Sequence, residues 1–242
     1  MSGARVLVVE HQADAGLGLV GERLRLSDVE IITVGPDAGE PVPASLEGFD
    51  GLIVLGGSMG PTEDEVAPWL PATRQLLADG VADGVPTLGI CLGAQLLATA
   101  TGGHVRNMPR GPEVGVHGVQ FHESAGHDPL FAGFAGATLP AVQWHWLEAD
   151  QLPENASVLA SNGACPNQAF RIGERAWGVQ FHPEALGDTA QDWADDGKGD
   201  LDEIGLEPDA VVRSVRAAEP DLREAWSQVA DRFVDVIRET RR

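Results

Sequence analysis

Cysteine is scarce in this chain, which has only two among its 242 residues. The two do not form a Cys-x-x-Cys pair, so neither a disulfide framework nor a structural zinc site is expected. We predict no metal and no cofactor. A chain that makes so little use of cysteine is expected in a reducing cytoplasm.

Long apolar runs and clusters of positive charge are also missing. No run approaches the ~20 residues that a bilayer span needs, and the N-terminus lacks the basic stretch and apolar block of a secretory signal. Lys198 is the single lysine, and 16 Lys and Arg residues stand against 37 Asp and Glu, for a net charge of −21. Because binding to phosphate backbones needs clustered cations, we expect no nucleic-acid partner, and no membrane partner either.

The chain does contain a regular alternation of short Val- and Ile-rich runs with helical patterns, which is typical of a parallel α/β sheet. Parallel strands are predicted at residues 5–10, 30–34, 52–55 and 86–90, with helices at 17–26, 71–83 and from residue 92. The first of these helices is predicted to bury Leu24 and Leu26. Shorter strand-like segments then indicate a small antiparallel extension, at 114–121, 157–160, 168–172 and 176–181. We interpret residues 1–242 as a single domain.

Two features are predicted near the C-terminus. The segment 184–209 has ten acidic residues, one lysine and interspersed glycines, and predicts a solvated, lid-like excursion. Apolar residues from Leu222 to Val236 recur at steps of four and three and predict a helix over 220–240. Pro220 is predicted to open that helix, because its fixed φ suits a first turn.

The first candidate for chemistry is Cys91. A predicted buried strand ends at this cysteine, Gly89 and Gly93 lie two residues away on each side, and a helix follows. Such glycines permit the strained turn of a nucleophile elbow, and the first N–H groups of the helix favour a thiolate. The alternative is a buried structural cysteine, which is the commoner fate of this residue type. The elbow context favours the nucleophile.

A thiolate nucleophile needs a base, and the base needs an orienting partner. His182 and Glu184 supply both after a predicted strand, and residues two apart in an extended chain project to the same side. Pro183 restricts His182 to extended conformations. Taken alone, such a pair is more often a pair of exposed polar residues.

An acyl-transfer site also needs donors for an oxyanion. The glycine-rich run from Gly56 to Gly60 follows a predicted strand, and its N–H groups, with that of Leu92, can form an oxyanion hole. The run has neither the GxGxxG pattern nor the Gly-Lys-Ser/Thr ending of a phosphate loop, which disfavours a nucleotide site. A plain turn is the remaining alternative.

Together these segments resemble class I (triad-type) glutamine amidotransferases, especially the stand-alone members, over about residues 4–186. The matching motifs are LGGSM (55–59), GICLGAQ (89–95), RGPEVG (110–115), NQAF (167–170) and GVQFHPE (178–184). The resemblance implies a flavodoxin-like α/β fold, in which helices flank a mostly parallel sheet. It implies a catalytic triad of Cys91, His182 and Glu184 and an oxyanion hole at Gly57 and Leu92. The substrate contacts that it implies are Gln95, Met59, Gln143, Trp146 and Leu147.

The segment 143–147, Gln-Trp-His-Trp-Leu, is the main departure from the family pattern. In the family this segment grips the α-amino and carboxylate groups of the substrate, largely through its backbone. Many members have Gly and Asp after the histidine, where this chain has Trp146 and Leu147. A bulky Trp146 can reshape the pocket, and packing beneath the acidic segment is the alternative for Trp144 and Trp146.

The reaction implied by the resemblance is hydrolysis of a side-chain carboxamide through a cysteine thioester, with release of ammonia from glutamine. A γ-glutamyl amide or peptide hydrolase can use the same triad on another leaving group. A catalytically silent binding or regulatory subunit is the alternative of another class. The implied partners are a small-molecule substrate, glutamine or a γ-glutamyl compound, and a separate synthase subunit if the chain does not act alone.

The remaining histidines and the second cysteine are predicted to have no catalytic role. His145 is predicted to pack in the core or at the pocket rim, and Cys165 to be an inert small side chain. The other five histidines are predicted to lie in loops or at exposed strand positions, without a metal-ligand spacing: His11, His104, His117, His122 and His127.

Overall fold

The structure, a computed structural model, describes residues 3–241. Its strands are β1 (Arg5–Val9), β2 (Glu30–Val34), β3 (Gly51–Val54), β4 (Thr87–Ile90), β5 (His104–Asn107), β6 (Glu113–Phe121), β7 (Thr138–His145), β8 (Leu147–Gln151), β9 (Ala156–Ser161), β10 (Ala169–Ile172) and β11 (Ala176–Val179). Its α-helices are α1 (Gly18–Leu26), α2 (Leu70–Asp83), α3 (Leu92–Ala100), α4 (Gly187–Asp196), α5 (Lys198–Glu203) and α6 (Pro208–Thr240).

A nine-stranded sheet organises the molecule, in the order β2-β1-β3-β4-β11-β10-β9-β6-β7. The strands from β2 to β11 in this order are parallel, and those from β10 to β7 are added antiparallel. The chain passes from β1 to β2 on one side and then returns to β3 on the other. Such a reversal of direction opens a crevice at the carboxyl ends of the strands, where ligands bind in open α/β sheets.

Alternation along the central strands builds two cores. Val6 and Val8 of β1 face one side of the sheet with α1 and α6, whereas Leu7 and Val9 face the other side with α2 and α3. Both faces of the parallel strands are therefore covered by helices, as their nearly continuous apolar sequence requires. This agrees with the predicted flavodoxin-like class.

The C-terminal helix is longer than predicted, because α6 begins at Pro208 and Pro220 lies in its interior. Pro208 occupies the first helical turn, where a missing N–H costs little. The prediction that Pro220 opens the helix is wrong. Pro220 removes one backbone hydrogen bond, and the burial of Leu222, Trp226 and Phe233 against the sheet compensates for the loss.

Residues 184–209 form the helices α4 and α5 rather than an irregular excursion. Ala190, Trp193 and Leu201 are buried, whereas the acidic residues of these helices are mostly exposed. The acidic composition predicts exposure to solvent, but the few apolar side chains of the segment are enough to bury one side of each helix. The helices α4 and α5 therefore pack on the rest of the molecule through these apolar side chains.

Several other elements differ from the prediction. Strands β5, β7 and β8 were not predicted; β5 and β8 form a separate antiparallel pair, and β7 lies at the edge of the main sheet. Leu26 was predicted to be buried but is 75% exposed, because residues two apart on a helix point to nearly opposite sides.

Among the described residues, no helix combines the length and apolar character that crossing a bilayer requires.

Candidate active site

The predicted catalytic residues meet at the carboxyl ends of the parallel strands. Cys91 follows β4 directly, His182 follows β11, and the Gly56–Gly57 turn follows β3. A cavity of about 690 Å³ opens at this edge, and Cys91, Gly57 and His182 are among its lining residues. Cys91 is 6% exposed overall but contributes to the cavity wall.

The backbone at Cys91 is strained in the way that the glycine spacing predicted. Its φ is 50° and its ψ is −105°, an uncommon conformation for a residue with a side chain. A methyl group on Gly89 would lie 2.5 Å from the carbonyl oxygen of Gly93, and one on Gly93 would collide with the carbonyl oxygen of Val54. The two glycines therefore allow β4, α3 and β3 to approach closely enough for this turn to form.

His182 and Glu184 form a buried pair. Nδ1 of His182 lies 2.6 Å from Oε1 of Glu184, and both residues are almost completely buried. The N–H of His182 donates to the carbonyl of Val142 on β7, which fixes the backbone of the pair. The ring also packs edge-on against Trp193 of α4, with centroids 4.6 Å apart. An exposed polar pair is therefore excluded.

The imidazole ring of His182 and Cβ of Cys91 both lie beside Gly56. A methyl group at this glycine would lie 3.0 Å from Cε1 of His182 and 3.7 Å from Cβ of Cys91. Burial lowers the pKa of His182, but the negative charges of Glu184 and of the facing Cys91 sulfur outweigh it and raise the pKa to about 10. Within the described part of the chain, Nε2 of His182 has no hydrogen-bond partner. It is the ring nitrogen left for a reacting group.

The two proposed oxyanion donors are neighbours. A methyl group on Gly57 would lie 3.0 Å from the Leu92 side chain and 2.7 Å from the sulfur of Met59. Leu92 is the first residue of α3, where backbone N–H groups have no partner within the helix. The structure thus brings the glycine-rich turn and the start of α3 together beside Cys91.

Four of the five predicted substrate contacts line the cavity: Gln95, Met59, Trp146 and Leu147. Gln143 is not among the lining residues, and its fully buried side chain bonds to Gln168 and His145. Leu147 also accepts a hydrogen bond from Gln95 through its carbonyl. The backbone of this segment is therefore tied to α3.

A buried polar network holds the segment 143–147 in place. The amide of Gln168 donates through Nε2 to Glu113, and its Oε1 accepts from Nε2 of Gln143. The other end of the Gln143 amide is therefore its oxygen, Oε1, which lies 3.0 Å from Nε2 of His145. The other ring nitrogen of His145 lies 2.9 Å from the Leu147 carbonyl. Nε2 of His145 also lies 3.4 Å from a carboxylate oxygen of Glu113, so the ring is held between Glu113, Gln143 and the Leu147 carbonyl. Burial raises the pKa of Glu113, but hydrogen bonds, chiefly with His145, outweigh it and lower the pKa below its ordinary value.

His11 was predicted to lie in a loop, and the structure places it 2% exposed behind Gly57. The indole N–H of Trp69 donates to its Nδ1 at 2.9 Å. Burial lowers the pKa of His11 to about 4, so the ring is neutral. Cys165 is also buried, and burial raises the pKa of its thiol to about 12, which fits an inert side chain.

Two tryptophans from distant segments, Trp144 and Trp193, pack together beside His182. Trp144 on β7 packs against Trp193 on α4, with ring centroids 5.5 Å apart. Trp146 packs among apolar residues of α5 and α6 and also lines the cavity. Both interpretations of Trp146, pocket wall and packing beneath the acidic segment, therefore apply. The sequence carried no signal for Trp193 beyond its place in the acidic segment.

Comparison with known proteins agrees with this arrangement. The family model described as "Glutamine amidotransferase class-I" matches residues 18–194. The chain belongs to the class I glutamine amidotransferase family. It is 35% identical over 150 residues to the glutamine amidotransferase-like protein YfeJ of Salmonella typhimurium, covering 61% of this chain and 62% of that protein. It is 27% identical over 152 residues to gamma-glutamyl peptidase 3 of Arabidopsis thaliana, covering 61% of this chain and 59% of that protein.

A solved glutamine amidotransferase has nearly the same architecture. The crystal structure of a glutamine amidotransferase from Thermotoga maritima matches with a TM-score of 0.85 and 28% identity, covering 96% of this chain and 98% of that one. The predicted family and the predicted flavodoxin-like fold are therefore confirmed. These two curated relatives match over about three fifths of their own length. The reaction, the catalytic residues and the partners of this chain stay proposals.

Proposed function

We propose that this class I glutamine amidotransferase hydrolyses the side-chain carboxamide of glutamine through a thioester on Cys91. The observation that carries the proposal is the strained cysteine turn facing a buried His182–Glu184 pair within one cavity. A silent binding subunit would have no chemical need for this constellation. The cavity is also in the size range of small-molecule sites.

In the first step, the Cys91 thiolate attacks the carboxamide carbon and forms a tetrahedral oxyanion. The N–H groups of Gly57 and Leu92 are the donors for this oxyanion. The C–N bond then breaks, and His182 gives a proton to the departing nitrogen, which leaves as ammonia. The product bound to the enzyme is a γ-glutamyl thioester.

In the second step, His182 takes a proton from a water molecule, whose oxygen attacks the thioester carbon. The C–S bond breaks, glutamate leaves and the thiolate is restored. Glu184 keeps Nδ1–H of the imidazole in place and stabilises the cation that forms. Gln95 contributes as a substrate contact at the cavity wall.

The test is ammonia release from glutamine by the purified protein and by a matched pair of variants. Cys91→Ser is expected to lose ~10³-fold or more of kcat/KM, whereas Cys165→Ser, a change at the other buried cysteine, is expected to stay within a factor of about three. Equal activity of wild type and Cys91→Ser would contradict the proposal. Activity that appears only when a second protein is added marks the chain as a subunit of a synthase.

A γ-glutamyl amide or peptide hydrolase is the second candidate, and the cavity favours it. Trp146 stands at the wall of a cavity of about 690 Å³, which has room for a leaving group larger than ammonia. The similarity to a gamma-glutamyl peptidase points in the same direction. Comparing kcat/KM for glutamine with that for a γ-glutamyl dipeptide separates the two candidates: a higher value for the dipeptide selects the second, and a higher value for glutamine selects the first.

A further inference from the structure

Gln180 contacts the sulfur of Cys91. Its Nε2 lies 3.7 Å from Sγ, within hydrogen-bond range for sulfur, and the residue is only 1% exposed. It lies in the motif GVQFHPE, in which the resemblance assigned a role only to the histidine and the glutamate. The mechanism above makes no use of it.

The register of the sheet puts this amide beside the nucleophile. Strands β11 and β4 are parallel with Val179 opposite Ile90, and the N–H of Cys91 donates to the Val179 carbonyl. Gln180 and Cys91 are thus the next pair beyond the strands. The N–H of Gln180 in turn donates to the Gln168 carbonyl at 2.9 Å, so its backbone is held from both sides.

The orientation of the amide follows from a chain of fixed partners. The backbone carbonyl of Leu147 can only accept, so the group of Gln95 that faces it at 3.2 Å is the NH₂ group. The same NH₂ group lies 3.3 Å from the other end of Gln180, which must therefore be Oε1. The remaining end of Gln180, which faces the sulfur, is its NH₂ group. A donor, and not a carbonyl oxygen, points at Cys91.

We propose that Gln180 is a further catalytic residue, whose side-chain N–H donates to the Cys91 sulfur and stabilises the thiolate, and that Gln95 is the positioning residue that orients it. Hydrogen bonds to a charged acceptor are about twice as strong as neutral ones. The donor is therefore worth more to the thiolate than to the thiol. As a thiol, Cys91 faces the Trp144 carbonyl at 4.0 Å, a contact that it loses on ionisation. The catalytic meaning of the contact rests on the proposed function, whereas the contact itself does not.

Other charged groups also act on this sulfur. His182 faces it directly and Glu184 stands behind that ring. The remaining ionisable residues that line the cavity are His145, Asp14, Asp196 and Asp200. Gln180 differs from all of these groups because its amide does not gain or lose a proton. Removing the amide therefore changes the fraction of Cys91 that is thiolate without changing the number of titrating groups around the sulfur.

The test is the rate at which iodoacetamide alkylates Cys91 in the full-length protein, measured by peptide mass at about pH 6 and about pH 9. Gln180→Met keeps the length of the side chain without the donor, and Gln180→Glu puts a carboxylate against the sulfur.

We expect alkylation at about pH 6 to be ~10-fold slower in the Met variant and slower still in the Glu variant. At about pH 9 the Met variant should match or exceed wild type, because the loss of a donor does not reduce the nucleophilicity of the thiolate. Gln151→Glu, an exposed change on β8 far from the cavity lining, is the matched control and should leave both rates unchanged.

The two proposals fail in different ways. If the Met variant alkylates at the wild-type rate at both pH values while wild-type Cys91 reacts readily at about pH 6, the role of Gln180 is overturned and the proposed function stands. If the Met variant is equally slow at both pH values, the effect is structural and the donor role is also overturned. If wild-type Cys91 itself does not react at about pH 6, the nucleophile is wrong. Gln95→Leu gives a second test: it should slow alkylation at about pH 6 by less than Gln180→Met does, and an unchanged rate contradicts its positioning role.

Discussion

The two proton transfers that we propose for His182 follow from how its two ring nitrogens are placed. Nδ1 of His182 is held by Glu184, and Nε2 is buried beside the sulfur and has no partner in the described chain. Such a buried group costs free energy unless a ligand or a reacting group satisfies it. The arrangement is thus better suited to catalysis than to stability.

Removing the negative charge of Glu184 should slow the reaction with little effect on binding. In Glu184→Gln the imidazole loses both its orienting acceptor and the charge that stabilises its cation. We expect kcat to fall by ~10²–10⁴-fold with a small change in KM. Glu174→Gln, at an exposed ion pair, is the control and should leave the steady-state parameters unchanged. Equal loss in both variants would contradict the assignment.

The raised pKa of His182 also predicts how stability depends on pH. The folded-state pKa is about 10 against an ordinary value of 6.5, so the protonated ring stabilises the folded state fully below pH 6.5. This contribution is lost as the pH rises through about 10. Urea denaturation should show the free energy of unfolding falling between these values in wild type and falling less in His182→Gln. Parallel curves for the two proteins would show that the ring is not held as a cation.

At the scale of elements, the sequence predicted the parallel half far better than the rest. The strands before Cys91 are short, largely apolar runs, and Gly89 and Gly93 flank the cysteine, so the position of the strands and the elbow could be predicted from residue types. The strand β7 could not, since only half of its length is buried and Pro140 lies within it. The contact between Trp193 and His182 joins residues about 11 positions apart in the chain. No local sequence pattern predicts it.

A larger side chain at Gly56 is predicted to lower kcat more than it lowers the free energy of unfolding. In Gly56→Ala the new methyl group would lie 3.0 Å from Cε1 of His182, so the ring must shift by a few tenths of an ångström. We expect kcat to fall by ~10-fold or more. Gly163→Ala is the control, because a methyl group there has nothing within 4 Å. Thermal melting and steady-state kinetics of both variants check this; a Gly56→Ala enzyme with wild-type kcat would contradict it.

Trp193 is predicted to fasten α4 onto the site. Its ring packs against His182 and Trp144, and its indole N–H donates to the Asp14 carbonyl at 3.0 Å. Trp193→Ala should lower the free energy of unfolding by about 3–5 kcal/mol, and Trp193→Phe, which keeps an aromatic ring, by clearly less. Urea denaturation measures both. A loss below about 1 kcal/mol in the Ala variant would mean that α4 is not anchored there.

At the scale of the whole molecule, the net charge of −21 is the dominant feature. Self-repulsion of this size destabilises a compact state, and salt screens it over about 10 Å at 0.1 M. We expect the melting temperature to rise as NaCl increases from about 0.05 to about 1 M, with KCl giving the same curve because the effect is screening. A falling melting temperature would show that the attractive ion pairs outweigh the repulsion.

The family and the fold could be predicted because the motifs are local, whereas the identity of the substrate could not. The head-group contacts that we propose lie in segment 143–147, whose shape depends on the buried network around Glu113 and His145 and on packing against α5 and α6. The cavity wall, which in our proposal selects the leaving group, is formed by residues from distant parts of the chain. Local sequence motifs predict neither the shape of this segment nor the composition of the cavity wall.

The most direct test of the central claim is covalent labelling by an electrophilic glutamine analogue, followed by peptide mass mapping. The account predicts one label per chain, on Cys91, at a rate that falls ~10²-fold or more in His182→Ala, with Cys165 left unmodified. Absence of labelling at Cys91, or equal labelling in wild type and His182→Ala, would show that the sulfur and the imidazole do not act together.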